Sequence, residues 1–83
     1  MADSDKTVRD AMLDTVLNQL ETGDPPETKK TYERLMAAGQ SKSQALHQIA
    51  AVLRVEMNRM LSEGTPFDNQ KYGALLAKIN PGG

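Results

Sequence analysis

The stretch that decides the fold is Ser41-Lys42-Ser43-Gln44-Ala45-Leu46-His47-Gln48-Ile49-Ala50-Ala51-Val52-Leu53-Arg54-Val55-Glu56-Met57-Asn58-Arg59-Met60-Leu61-Ser62-Glu63-Gly64. Leu46, Ile49, Ala50, Leu53, Met57, Met60 and Leu61 recur at the spacing that lines one face of an α-helix. Ser41 followed by Gln44 reads as a capping box, in which the hydroxyl accepts from a free backbone N–H and the amide reaches back to the start of the helix. Gly64 supplies the residue that turns left-handed past a helix end. A helix of about 20 residues is roughly 30 Å long, enough to touch every other element of a small domain.

On the N-terminal side, Val8, Met12, Leu13, Val16, Leu17 and Leu20 predict a first helix over residues 5–21, with Ser4 or Asp5 as its cap and Gly23 beyond its end. Asp24-Pro25-Pro26-Glu27 then opens a second helix. An acidic cap precedes proline at the first helical position, where the missing N–H costs nothing, and Glu follows three residues after the cap. That helix carries Tyr32, Leu35 and Met36 and stops at Gly39. After Gly64, Asp68 caps a fourth helix whose apolar face is Tyr72, Leu75, Leu76 and Ile79, with Phe67 one turn from Tyr72 in the manner of a hydrophobic staple. No segment alternates with period two and no repeat is visible. The expectation is therefore an all-α, compact single domain, residues 1–83, of four helices packed around a long third helix. Its ordered core spans about residues 5–79, with frayed termini at 1–4 and 80–83.

Composition narrows the function classes. A chain of 83 residues holds one core, and 39% hydrophobic with 25% charged residues is too apolar for disorder. Three aromatic residues leave the core to aliphatic side chains and five methionines. The net charge of −1 supplies no general attraction to nucleic acid or anionic lipid. The absence of cysteine rules out disulfides and thiolate chemistry. No apolar run reaches the roughly 18 residues that cross a bilayer, so no membrane association and a cytoplasmic location are expected.

Candidate chemistry is sparse. His47 is the single histidine, and the positions three and four residues away hold Gln44, Ser43, Ala50 and Ala51, so no helical metal pair is present. It is expected beside Arg54, packing at a helix junction. Glu56 falls at the margin of the apolar face, where Arg59 or a lysine from another helix would pair with it. No catalytic residue, metal site or cofactor is expected. Lys29, Lys30 and Arg34 form a basic cluster on the second helix, and with Lys42 they make a candidate nucleic-acid surface. The order of elements here superficially resembles a helix-turn-helix. Val52 and Val55, extended by Ala45, carry apolar surface round a second side of the third helix and make a candidate partner surface.

Read as a whole, Asp24-Pro25-Pro26-Glu27, Glu33-Arg34-Leu35-Met36-Ala37-Ala38-Gly39, Ala45-Leu46-His47-Gln48-Ile49-Ala50, Pro66-Phe67-Asp68 and Tyr72 resemble a small all-helical bacterial domain of unknown function, over about residues 20–79. The resemblance implies a bacterial cytoplasmic protein and carries no substrate, cofactor or catalytic residue. The expected function is a non-enzymatic protein–protein interaction or self-association module, with a protein partner or homodimer. The alternative is a nucleic-acid-associated regulator acting through the basic cluster of the second helix.

Overall fold

The computed structural model describes residues 2–79, with side chains from Arg9 onward. Four helices follow one another: α1 (Ala2–Thr22), α2 (Pro26–Ala37), α3 (Lys42–Glu63) and α4 (Asn69–Ala77). Among the described residues there is no strand, and α3 touches each of the other three helices. The expected all-α domain built round a long third helix is what the chain forms.

The ends of α3 follow the local chemistry read from its sequence. The Ser41 hydroxyl accepts from the Gln44 backbone N–H at 3.1 Å, and the Gln44 side-chain oxygen accepts from the Ser41 N–H at 3.0 Å. Gly64 closes the helix at φ 68° and ψ 26°, left-handed backbone that disfavours any residue with a Cβ. Asp68 caps α4 by accepting from the backbone N–H groups of Gln70 and Lys71. The Phe67 ring meets Tyr72 edge-on at 5.5 Å, as the staple predicts.

Two starts differ from expectation. α1 begins ahead of Ser4 and Asp5, so neither is its cap. α2 is preceded by Pro25 in extended backbone, with Pro26 at the first helical position and no side-chain cap. Asp24 stands one residue too far out to reach the first free N–H groups. Of the frayed ends expected at residues 1–4 and 80–83, residues 2–4 belong to α1, and residues 1 and 80–83 lie outside the described residues, as does the Val8 side chain.

The core is Val16, Leu35, Leu46, Ile49, Ala50, Leu53, Tyr72 and Leu76, with Ala45 fully enclosed among them. Half-buried Met12, Leu13, Leu20, Val52, Met57 and Phe67 pack around it. The apolar stripe of α3 outruns this core: Leu61 is 73% exposed. Leu17 and Met36, expected on inner faces, are also exposed. α2 turns Thr28, Thr31 and Leu35 inward. Buried hydroxyls need partners. The Gln19 side-chain oxygen accepts from Thr28 Oγ1 at 2.9 Å and from the Tyr72 hydroxyl at 2.9 Å, which joins α1, α2 and α4 at one point. The 3.5 Å approach of Thr28 to Tyr72 completes the cluster, but Thr28 has one proton and the shorter contact to Gln19 claims it.

Candidate functional site

The charged side chains divide into those consumed by the fold and those left to the surface. Glu56 is fully buried on α3. Arg59, one turn on, donates to Glu56 through Nε at 2.7 Å and through a second guanidinium nitrogen. The Asp68 backbone N–H donates to Glu56 Oε2 at 3.1 Å. Arg59 reaches onward to Glu63 at 3.2 Å and to Thr65 Oγ1 at 2.9 Å. The cluster therefore clamps the end of α3 to the loop that delivers α4. The Arg59 hydrogen bond, outweighing the opposing effect of burial and aided by the Asp68 N–H, holds the Glu56 carboxyl down at about 2. Of the two partners expected from the sequence, Arg59 or a lysine from another helix, it is Arg59 that pairs, and Glu56, expected at the margin of the apolar face, is fully buried.

Arg34, expected on a nucleic-acid surface, is also engaged. Its guanidinium donates to the carbonyls of Ile79 at 2.8 Å and Leu76 at 2.9 Å, satisfying backbone oxygens at the end of α4 where a cation is favoured. Lys29, Lys30 and Lys42 are exposed. Of the three residues expected on a partner surface, Ala45 is 0% exposed and lies inside the core, because it faces inward from the first turn of α3. Val52 is half-buried against the core, and Val55 alone is open, at 56% exposure.

His47 does not pack at a helix junction. It is exposed, and its Nδ1 lies 2.7 Å from the Ser43 carbonyl oxygen, so the ring donates back to its own helix. It lines an open groove of about 450 Å³ between α1 and α3, together with Arg9, Met12, Ala50, Ala51, Arg54, Val55 and Asn58. Of the α1 residues of this groove, Met12 is expected only as part of the first helix's apolar face, and Arg9 carries no expectation from the sequence. Arg9 and Met12 lie about one helical turn apart on α1, and Asn58 lies about one turn beyond Arg54 and Val55 on α3. Their meeting depends on how the two helices cross. Among the described residues no three His, Cys, Asp or Glu side chains gather as a metal site would require, and no helix is long and apolar enough to cross a membrane.

Over 64 residues the chain is 44% identical to the exodeoxyribonuclease 7 small subunit of Aliivibrio fischeri strain MJ11, covering 70% of this chain and 76% of that protein. The chain belongs to the exodeoxyribonuclease 7 small subunit family. The same protein from strain ES114 of that bacterium matches equally, at 44% identity over 64 residues. No family model matches, and no solved structure matches. Membership of the exodeoxyribonuclease 7 small subunit family corrects the expected function. An interaction or self-association module unconnected with nucleic acid is overturned by relatives named as subunits of a DNA-degrading enzyme, and the nucleic-acid-associated alternative is the better reading. "Unknown function" is likewise too coarse for the resemblance. The sequence could not supply this correction because the matching motifs are cap and core residues, which report the fold and not the assembly.

Proposed function

We propose that this chain is a non-catalytic accessory subunit of a bacterial DNA exonuclease, working in the cytoplasm on a larger catalytic chain. The observation that carries the reading is the 44% identity to a protein named as the small subunit of such an enzyme, over 76% of that protein's length. The word "small" in that name supports a larger partner, and the relatives' name, that of an exodeoxyribonuclease subunit, supports work on DNA. The side chains support the accessory role. Glu56, the buried carboxylate, has both oxygens engaged by Arg59 and Asp68. A carboxyl held near 2 cannot trade protons at neutral pH.

Co-expression of the full chain with the large exonuclease subunit of the same bacterium tests the reading. The expected result is co-purification, together with a change in the rate at which the large subunit releases nucleotides from end-labelled DNA. A chain that neither co-purifies nor alters that rate refutes it. The exposed lysines Lys29, Lys30 and Lys42 are the DNA-facing candidates that the sequence offers, and Lys29→Gln with Lys30→Gln in the same assay measures their share.

A further inference from the structure

The chain has four arginines, and they fall into two pairs. Arg34 and Arg59 are bound into the fold by the carbonyls of α4 and by Glu56. Arg9 and Arg54 have no hydrogen-bond or ion-pair partner among the described residues, and both line the groove between α1 and α3. Among the described residues no carboxylate lines that groove. Its apolar lining, the floor of the groove, is Met12, Ala50, Ala51 and Val55, and its polar lining is His47, Asn58 and the two arginines.

We infer that this groove binds a short segment of single-stranded DNA, with Arg9 and Arg54 taking the phosphates and the apolar floor taking the sugar and base. A guanidinium presents a planar fork of donors matched to phosphate oxygens. Two such forks, with no carboxylate beside them among the described lining residues, form an anion-binding wall. The apolar floor selects the strand. A duplex hides its bases and offers phosphates alone, whereas a single strand presents phosphate and apolar surface side by side. The identity of the anion as DNA rests on the accessory-subunit reading; the cationic groove itself does not. With a net charge of −1 the protein gains nothing from long-range attraction, so binding is local, modest and sensitive to salt. Two phosphate contacts on a single strand give a logarithmic salt slope of about −1.4, which is a loss of about sevenfold in affinity between about 50 and 200 mM salt.

The test is fluorescence anisotropy of a dye-labelled oligothymidine titrated with the full chain at both salt concentrations. The expected result is binding at the lower salt and about sevenfold weaker binding at the higher. Arg9→Gln with Arg54→Gln should abolish most of the salt dependence and weaken low-salt binding by about fivefold or more. Arg9→Lys with Arg54→Lys should keep the salt slope, since the charge remains, and circular dichroism confirms that each variant is folded. No binding by the wild-type chain at low salt, or an unchanged affinity in the Arg→Gln pair, overturns the inference. So does a pair that binds DNA normally but no longer co-purifies with the large subunit, because the groove would then hold an acidic protein segment. Co-purification of the wild-type chain is scored separately, so failure of the groove and failure of the accessory reading give different results.

Discussion

Replacing Leu53 by alanine tests whether α3 is the post on which the domain hangs. Leu53 sits in the middle of α3 at 2% exposure, within the cluster that includes Val16, Leu35, Ile49, Tyr72 and Leu76. Truncating such a side chain loses its transfer free energy and leaves a cavity, together about 2–5 kcal/mol. At about 0.05–0.15 kcal/mol per residue, a domain of 83 residues has roughly 4–12 kcal/mol in total. A central loss of about 3 kcal/mol therefore removes between a quarter and three quarters of it, and lowers Tm by about 12–24 °C. Leu61 belongs to the same sequence stripe two turns later, yet it is 73% exposed. Leu61→Ala should stay within about 0.5 kcal/mol. Urea denaturation followed by circular dichroism measures both, and an unchanged slope confirms that the same surface is exposed on unfolding. A Leu53→Ala cost under about 1 kcal/mol, or equal costs at the two positions, would refute the placement of α3 and of its core face.

Three further outcomes follow from the polar contacts. Tyr72→Phe removes one of two donors to Gln19 and should cost about 1 kcal/mol by the same denaturation assay. Burial pushes the Tyr72 hydroxyl above its ordinary 10.0, so its contribution is complete below that pH and is lost as the solution becomes more alkaline; the phenylalanine variant should show a flatter alkaline limb. Glu56 has the opposite sign: held at about 2 against an ordinary 4.5, it stabilises fully above 4.5 and loses that contribution as pH falls toward 2. Glu56→Gln should be less stable at neutral pH and lose less on acidification, measured as Tm against pH. Arg34→Ala should cost about 1 kcal/mol or less, because the freed carbonyls of Leu76 and Ile79 meet water, and it should leave oligothymidine binding unchanged.

Local signals hold at α3 and α4, where one short segment contains the whole interaction, while the caps expected for α1 and α2 do not form. The Ser41–Gln44 box, Gly64, the Asp68 cap and the Glu56–Arg59 pair each span at most four residues or depend on a single backbone angle. Periodicity did less well, since it reports which residues share a face and not how far a neighbour extends along it. Leu61 and Ala45 show the two errors. One lies on the inner stripe but past the end of the packed core, and the other extends a supposed outer face yet is enclosed. The signal for α2 was available: Thr28 and Thr31 share helical phase with Leu35, which marks a weakly apolar inner face in need of hydrogen bonds. The groove between α1 and α3 was not legible, because Arg9 and Arg54 are 45 positions apart in the chain and only the helix crossing brings them together.

The division of charge bears on how the proposed accessory role would use so small a helical chain. The buried Glu56 and its partner Arg59 are both consumed in holding the α3–α4 connection, and Arg34 is consumed at the far end of α4. These contacts fix α4 and the C-terminal half of α3 without drawing on the side of α3 that faces α1. That side is where Arg9 and Arg54 stand, without a partner among the described residues, over a floor that includes Ala50 and Val55, and Met12 reaches it from α1. Alanine at 50 and 51 keeps the floor low between the helices, so a larger residue there should fill the groove while the inner core is left intact. Ala51 is exposed and its neighbour Ala50 is 6% exposed. Ala51→Leu should therefore be nearly neutral for stability, within about 0.5 kcal/mol, yet should weaken oligothymidine binding as much as loss of an arginine does. A variant that retains wild-type stability and wild-type affinity would show that the floor takes no part, and that Arg9 and Arg54 act as isolated surface charges.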